Sequence, residues 1–410
     1  MKLRAALSLA LLAAGIAWPL VPAPAVAGRA APPPAPEATP GATAGPEPQL
    51  FAVLDEIGRD RLDGALEKTE ALLRQYPNFR LAHLIKGDLL LARAAPLADF
   101  GGARDAPRES VEDLREEIVA RLDARRNRPE AAGYLPRYLL QMTPAQKYAI
   151  VIDTGKARLY LFENAPGGAP RFVADYYLSH GKLGAGKTRE GDKKTPTGVY
   201  HVTSSLDPKK VGDFYGSGAF PINYPNEWDK RQGRNGYGIW LHGTPSDTFS
   251  RPPKASDGCM VLANADLDAL ARYLQIGLTP VIISDAVEWL TPGDWQNERD
   301  ALGQTLEKWR ADWESRDTDR YLAHYSKKFA APGQTLGEFA RQKRQVNAGK
   351  EWIKLALANV SIFRVPGPEN LAVVTFDQDY RSSNLNNRMK KRQYWTREDG
   401  EWKIVYEGGA

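Results

Sequence analysis

Cysteine is almost missing from this chain: there is one thiol, Cys259, in 410 residues. A lone cysteine excludes an internal disulfide, and it excludes a zinc site built on several thiolates. The histidines at 83, 180, 201, 242 and 324 have neither i,i+4 nor H-E-x-x-H spacing, so no metal centre is expected. Long runs of Lys/Arg and zinc-finger spacings are also missing, and the net charge is a mild +5, so nothing points to nucleic acid. That weak positive excess suits a carboxylate-rich partner better. No G-x-S-x-G turn surrounds Ser256, which excludes the serine-hydrolase elbow. Beyond Leu20 no segment is apolar enough to span a bilayer.

What is present begins at the N-terminus. Lys2 and Arg4 precede an apolar run, Ala5–Leu20, and Ala25-Val26-Ala27 is a small-x-small cleavage site. Residues 1–27 therefore read as a signal peptide, with the mature chain starting at Gly28 in the periplasm. Residues 28–48, rich in Ala, Pro and Gly, read as a disordered linker. In an oxidising compartment a lone thiol is a liability unless it is buried or does chemistry.

Length predicts two or three domains. Apolar positions at helical spacing (Leu62, Leu66, Leu72, Leu73, then Leu81, Ile85, Leu89) flank the breaker Tyr76-Pro77-Asn78. This helix–turn–helix resembles one tetratricopeptide unit, which cannot bury its face alone, so residues 49–140 are expected to form a helical cap. A charged helix over Glu109–Arg126 belongs to it. From Tyr148 the period changes to strands: 148–153, 158–163, 172–178, 199–204, 238–242 and 280–284, with a helix near 264–274. A mainly β domain over 145–285 follows. Residues 286–297, with Pro292-Gly293, read as a linker to an α+β unit over 298–410 with a core of its own.

Gly181-Lys182-Leu183-Gly184-Ala185-Gly186-Lys187-Thr188 matches the P-loop spacing at every specified position. That motif works only when a helix opens directly after it and its amides face the phosphates. Here Arg189-Glu190-Gly191-Asp192 follows, ending in Thr195-Pro196-Thr197-Gly198, so no nucleotide is expected.

The chemistry gathers at Ser256-Asp257-Gly258-Cys259, with His242-Gly243 upstream at the end of a strand. An ordinary thiol is only a few per cent thiolate at neutral pH, so a nucleophilic cysteine needs a base within reach, and His242 is the candidate. Gly258 allows a tight turn that would offer the Gly258 and Cys259 amides as an oxyanion hole, and Gly243 would let substrate backbone approach. A buried structural cysteine and a core histidine are the alternatives that spacing alone leaves open.

Lys194-Thr195-Pro196-Thr197-Gly198, then Leu241-His242-Gly243, then Ser256-Asp257-Gly258-Cys259, in this order, resemble the L,D-transpeptidase (YkuD-type) catalytic domain, in its ErfK/YafK-like branch. The resemblance implies a β-rich fold and peptidoglycan stem peptides as substrate. It gives Cys259 as nucleophile, His242 as base, and Ser256 and Gly258 as support, with no cofactor. Two positions depart from the family pattern: Asp257 replaces the histidine of the S/T-H-G-C block, and Val261 replaces a basic or amide residue. Arg251, Lys254 and Asp257 are the candidates to bind substrate in their place. Trp309, Trp313, Tyr321 and Tyr325 resemble the nuclear-transport-factor-2-like (SnoaL-like) cone, which offers a pocket for a partner or a second copy. The expected activity is acyl transfer through a Cys259 thioester. A hydrolytic member of the family, cleaving peptidoglycan–protein links or terminal residues, and a non-catalytic wall-binding scaffold are the alternatives. A sortase-like enzyme would need a Thr-Leu-x-Thr-Cys strand, which this chain lacks.

Overall fold

The computed structural model describes residues 46–97, 99–102, 107–367 and 370–410. The expected signal peptide and most of the stretch expected to be a linker, 28–48, lie outside the described residues. The chain divides into two units, residues up to Val119 with the tetrapeptide Asp247–Ser250, and Ala120–Ser246 with Arg251–Ala410.

Unit one holds α1 (Pro46–Gly58), α2 (Leu62–Gln75), α3 (Arg80–Ala94) and the start of α4 (Arg108–Arg126). The expected helix pair is α2–α3, and α1 begins at Pro46, inside the stretch read as linker. Leu50 and Val53 of α1 cover the apolar face that α2 and α3 could not bury alone, together with Ala65, Leu72 and Leu81. The Phe249 ring completes that core, with centroids 4.2 Å from Phe79 and 5.3 Å from Tyr76.

Unit two opens with two short strands, β1 (Leu135–Pro136) and β2 (Leu139–Gln141). The next strands are β3 (Tyr148–Asp153), β4 (Arg158–Asn164), β5 (Pro170–Tyr177), β6 (His180–Gly181) and β7 (Gly198–His201). A short helix α5 (Pro208–Val211), β8 (Ala219–Pro221), α6 (Glu227–Arg231) and β9 (Trp240–His242) follow. Then come β10 (Lys254–Ser256), β11 (Met260–Val261), α7 (Asn264–Ala271), β12 (Pro280–Ser284) and β13 (Trp289–Leu290). The main sheet of this part has the order β5-β4-β3-β12-β7, with β12 parallel to β3. Its central strands are apolar on both faces, because period-two alternation supplies two different cores. Ile150, Ile152, Leu161 and Ile283 pack with Leu241, Met260 and Leu267 beneath the site.

The opposite face does not meet solvent. Ala149, Val151, Tyr160, Phe162 and Ile282 share one core with Phe363, Leu371, Val373, Tyr394 and Val405 of the C-terminal region. That region begins with α8 (Pro292–Glu314), whose buried Trp295, Leu302, Leu306, Trp309 and Trp313 form a helical stripe. α9 (Thr318–Leu322), β14 (Tyr325–Ala331), β15 (Gln334–Thr335) and α10 (Leu336–Ala348) follow. The long antiparallel strands β16 (Ile353–Val365), β17 (Leu371–Ser382), β18 (Leu385–Glu398) and β19 (Glu401–Gly409) curl around this helical stripe. The multidomain architecture is as expected: N-terminal helices, a mainly β domain and an α+β cone.

Two boundaries differ from the reading of the sequence. Pro292-Gly293 is the first turn of α8 rather than a linker: Thr291 caps the helix by accepting from the Asp294 amide, and proline at N1 starts a helix well. Residues 135–141 belong to the C-terminal half, since β2 pairs with β16 and β1 with β13. The C-terminal region therefore has no wholly private core.

Candidate active site

Two short parallel strands build the site. β11 runs beside β9 with Met260 opposite Leu241 and Val261 opposite His242. Leu241 and Met260 point into the core, so alternation places His242 and Cys259 together on the other face. His242 is 2 % exposed, and the Tyr215 ring packs edge-on against it at 5.1 Å.

Its Nδ1 lies 2.7 Å from the Gly243 carbonyl. A carbonyl only accepts, so Nδ1 carries the hydrogen and Nε2 is the free base. Burial pushes the imidazole down to about 4; the Gly243 carbonyl opposes this and the Arg251 charge adds to it. Burial likewise pushes the Cys259 thiol up to about 11, against a backbone hydrogen bond from Trp240 and the Lys187 and Arg251 charges. The resting pair is therefore neutral, and Cys259 Sγ donates to the Gly238 carbonyl at 3.3 Å.

The turn that carries Cys259 is fixed from three directions. Ser256 Oγ donates to the Cys259 carbonyl at 2.6 Å and accepts from the Gly258 amide at 3.1 Å. Thr195 Oγ1 donates to the Gly258 carbonyl at 2.9 Å. Gly258 has φ +131°, and a Cβ there would stand 2.7 Å from the Lys194 carbonyl, so no other residue fits. Ser256 thus braces the turn, and because it occupies the Gly258 amide, the pair of amides expected to form an oxyanion hole is reduced to that of Cys259. Gly243 is also reassigned. A Cβ there would meet Asn264 Oδ1 at 2.0 Å, so its bareness admits this latch rather than a substrate. Asn264 Oδ1 in turn accepts from the Ser217 and Thr244 amides.

The three substrate-binding candidates separate. Asp257 has a 72 % exposed side chain paired with Lys182 at 3.1 Å, and Lys254 is exposed on β10. Arg251 is half-buried, and its charge is felt by both Cys259 and His242. Sequence reading missed Asn264 and the grip of Thr195, although Thr195 stood in the quoted Lys-Thr-Pro-Thr-Gly stretch. Among the described residues no group of three or more His, Cys, Asp or Glu could hold a metal ion.

A family model of the L,D-transpeptidase catalytic domain matches residues 147–283. A second, described as the Cds6 C-terminal NTF2-like domain, matches residues 301–408. The solved structure of Bd1075 from Bdellovibrio bacteriovorus is 31% identical with a TM-score of 0.60, and the match covers 68% of this chain and 98% of that one. The chain belongs to the L,D-transpeptidase family. Pgp2 from Campylobacter jejuni, described as a helical cell shape determining protein, is 26% identical with a TM-score of 0.57, covering 68% of this chain and 98% of its own. Among curated proteins none matches.

Within this L,D-transpeptidase-family domain the P-loop spacing finds its explanation. Lys187 is buried and paired with Asp192 at 2.7 Å. The amide of Thr188, the last residue of the motif, donates to the same carboxylate, as do those of Arg189 and Lys194. Burial opposes the Asp192 charge, yet Lys187 and these amides hold its carboxyl at about 2. The loop is a closed ion-pair turn, and no helix follows it.

Proposed function

We propose that this protein is an exported cysteine acyltransferase that works on peptidoglycan stem peptides in the periplasm without a cofactor. The observation that carries the reading is the placement of Cys259 and His242 on one face of paired strands, with Nδ1 of the histidine held by Gly243. His242 Nε2 takes the thiol proton as Sγ attacks the carbonyl of the third stem-peptide residue. The Cys259 amide stabilises the oxyanion. The C–N bond then breaks, the leaving D-amino acid takes the proton from Nε2, and a thioester remains. An amine from a second stem peptide, or a free D-amino acid, attacks the thioester, loses its proton to His242, and releases the thiol. The likeness to Pgp2 supports a role in cell shape.

Incubating the full chain with tetrapeptide muropeptides and weighing the products tests this. Loss of the terminal residue with cross-linked or exchanged product is expected. Tripeptide alone would make water the acceptor and the enzyme an L,D-carboxypeptidase. Absence of both turnover and a carbapenem adduct on Cys259 would leave a scaffold.

The neutral pair predicts a pH profile. Catalysis needs unprotonated His242, whose pKa lies near 4, so the acid limb of kcat/KM is expected well below the ordinary histidine value of 6.5. An acid limb at 6.5 or above would show a solvated imidazole. Folding stability moves in the same window. His180 and His242 are both held near 4 by burial, so the unfolded chain binds protons between pH 6.5 and 4 while the folded one does not. Stability is unaffected above 6.5 and falls as pH drops through that window, by roughly 3 kcal/mol per histidine. The profile is therefore read alongside the folded fraction by circular dichroism.

A further inference from the structure

Arg251 lies in the segment between His242 and Cys259, and its backbone is held along one strand edge. Tyr177 Oη donates to the Arg251 carbonyl at 2.8 Å, Ser179 Oγ to that of Pro252, and the His180 amide to that of Pro253 at 2.7 Å. Three successive carbonyls are thus fixed, and so is the origin of the side chain. The guanidinium lies over the Phe214 ring at 5.0 Å, and that ring is 6.1 Å from the imidazole of His242. Phe214 is itself 57 % exposed, an aromatic shelf open to solvent beside His242. Among the described residues no carboxylate lies within ion-pair distance of Arg251. Burial lowers its pKa from the ordinary value, and Cys259 is the one group whose charge acts the other way. A half-buried guanidinium without a counter-ion, held in place by its backbone, is prepared for an anion from outside.

We infer that Arg251 is the specificity-determining residue of this site, receiving the free α-carboxylate of the substrate's terminal, leaving residue. The inference rests on the acyltransferase reading for the identity of the substrate, but not for the anion site. In a stem peptide that carboxylate is two bonds beyond the scissile amide nitrogen, so a cation beside Cys259 meets it as the carbonyl reaches Sγ. The planar fork matches a carboxylate bidentately. The site then selects donors that end one residue past the acylated position and disfavours chains that continue.

Alkylation of Cys259 by iodoacetate and by iodoacetamide, in which sulfur displaces iodide in both cases, reads the anion site without peptidoglycan. Relative to a free thiol, the iodoacetate-to-iodoacetamide rate ratio is expected to rise about tenfold in the wild type, the worth of one charge-assisted contact. Arg251→Gln should return it to the free-thiol value, and Arg251→Lys should retain part of the rise. A wild-type ratio equal to that of the free thiol, or one unchanged in folded Arg251→Gln, would overturn the assignment. The second arm compares tetrapeptides ending in a carboxylate or a carboxamide. Wild type should prefer the acid by about 10²-fold in kcat/KM, and Arg251→Gln should lose that preference. A side-chain carboxamide on the third residue should matter little; if it alone abolished turnover, Arg251 would be reading that carboxylate and the assignment to the terminal one would fail. If neither peptide reacts while the alkylation ratio depends on Arg251, the peptidoglycan reading fails and the anion site stands.

Discussion

Replacing Cys259 with alanine is expected to abolish both product formation and the carbapenem adduct while leaving the fold intact. The sulfur is the only thiol in the chain, so no neighbour can substitute for it. Its bond to the Gly238 carbonyl is a weak thiol contact at 3.3 Å, and the turn is held by Ser256 and Thr195 instead. The stability change should therefore stay within about 1 kcal/mol, while activity falls by about 10⁴-fold or more. His180 provides the internal control. It is as buried as His242, and burial brings it to the same low value of about 4, but it sits on β6 rather than opposite Val261. His242→Gln should cost about 10²–10⁴-fold in acylation, and His180→Gln far less. Intact-mass labelling and initial rates on folded protein decide it: wild-type turnover in Cys259→Ala, or equal losses in the two histidine variants, would remove Cys259 or His242 from its role.

Cys259 and His242 stand out as a candidate pair in the sequence because the chemistry proposed for them is demanding. A lone thiol after glycine and a strand-terminal histidine leave few structural uses, and Tyr148–Asp153 or Pro280–Ser284 announce buried strands by composition. The rest depended on contacts without local signals. Ser256 occupies the Gly258 amide through a side-chain turn, which spacing does not reveal. Gly243 is bare because Asn264, distant in sequence, fills the space. Pro292-Gly293 reads as a linker, although proline on the N-terminal side of a helix marks its start and Thr291 supplies the cap. β2 has three residues, and its partner Phe363 lies far along the chain, so no periodicity exists to find. Arg251 was visible as a charge; what distinguishes it from Lys254 is burial and the hold of Tyr177, both properties of the fold.

That distant pairing makes the second large effect a matter of stability. From the sequence, a chain ending near Ser284 is expected to keep a folded catalytic domain; the shared core predicts the opposite. Ending there removes Phe363, Leu371, Val373, Tyr394 and Val405 from the face formed by Val151, Tyr160, Phe162 and Ile282. It leaves β1 and β2 without their partners, and it takes away the Trp295 indole that donates to the Leu139 carbonyl at 3.0 Å. Glu227 of α6 loses its two-pronged pair with Arg392, and Trp228 loses the Tyr394 ring stacked on it at 5.0 Å. Uncovering the four large apolar side chains on the catalytic face costs about 1.5–3 kcal/mol each, a total on the order of 10 kcal/mol. Domains of this size are stable by only about 5–15 kcal/mol, so the remainder is expected to be insoluble or to melt without cooperativity. Yield, size-exclusion profile and calorimetry of the shortened chain measure this directly. A soluble product that melts cooperatively within a few degrees of the full chain, and still forms the carbapenem adduct, would show that the cone rests on the catalytic sheet without holding it together.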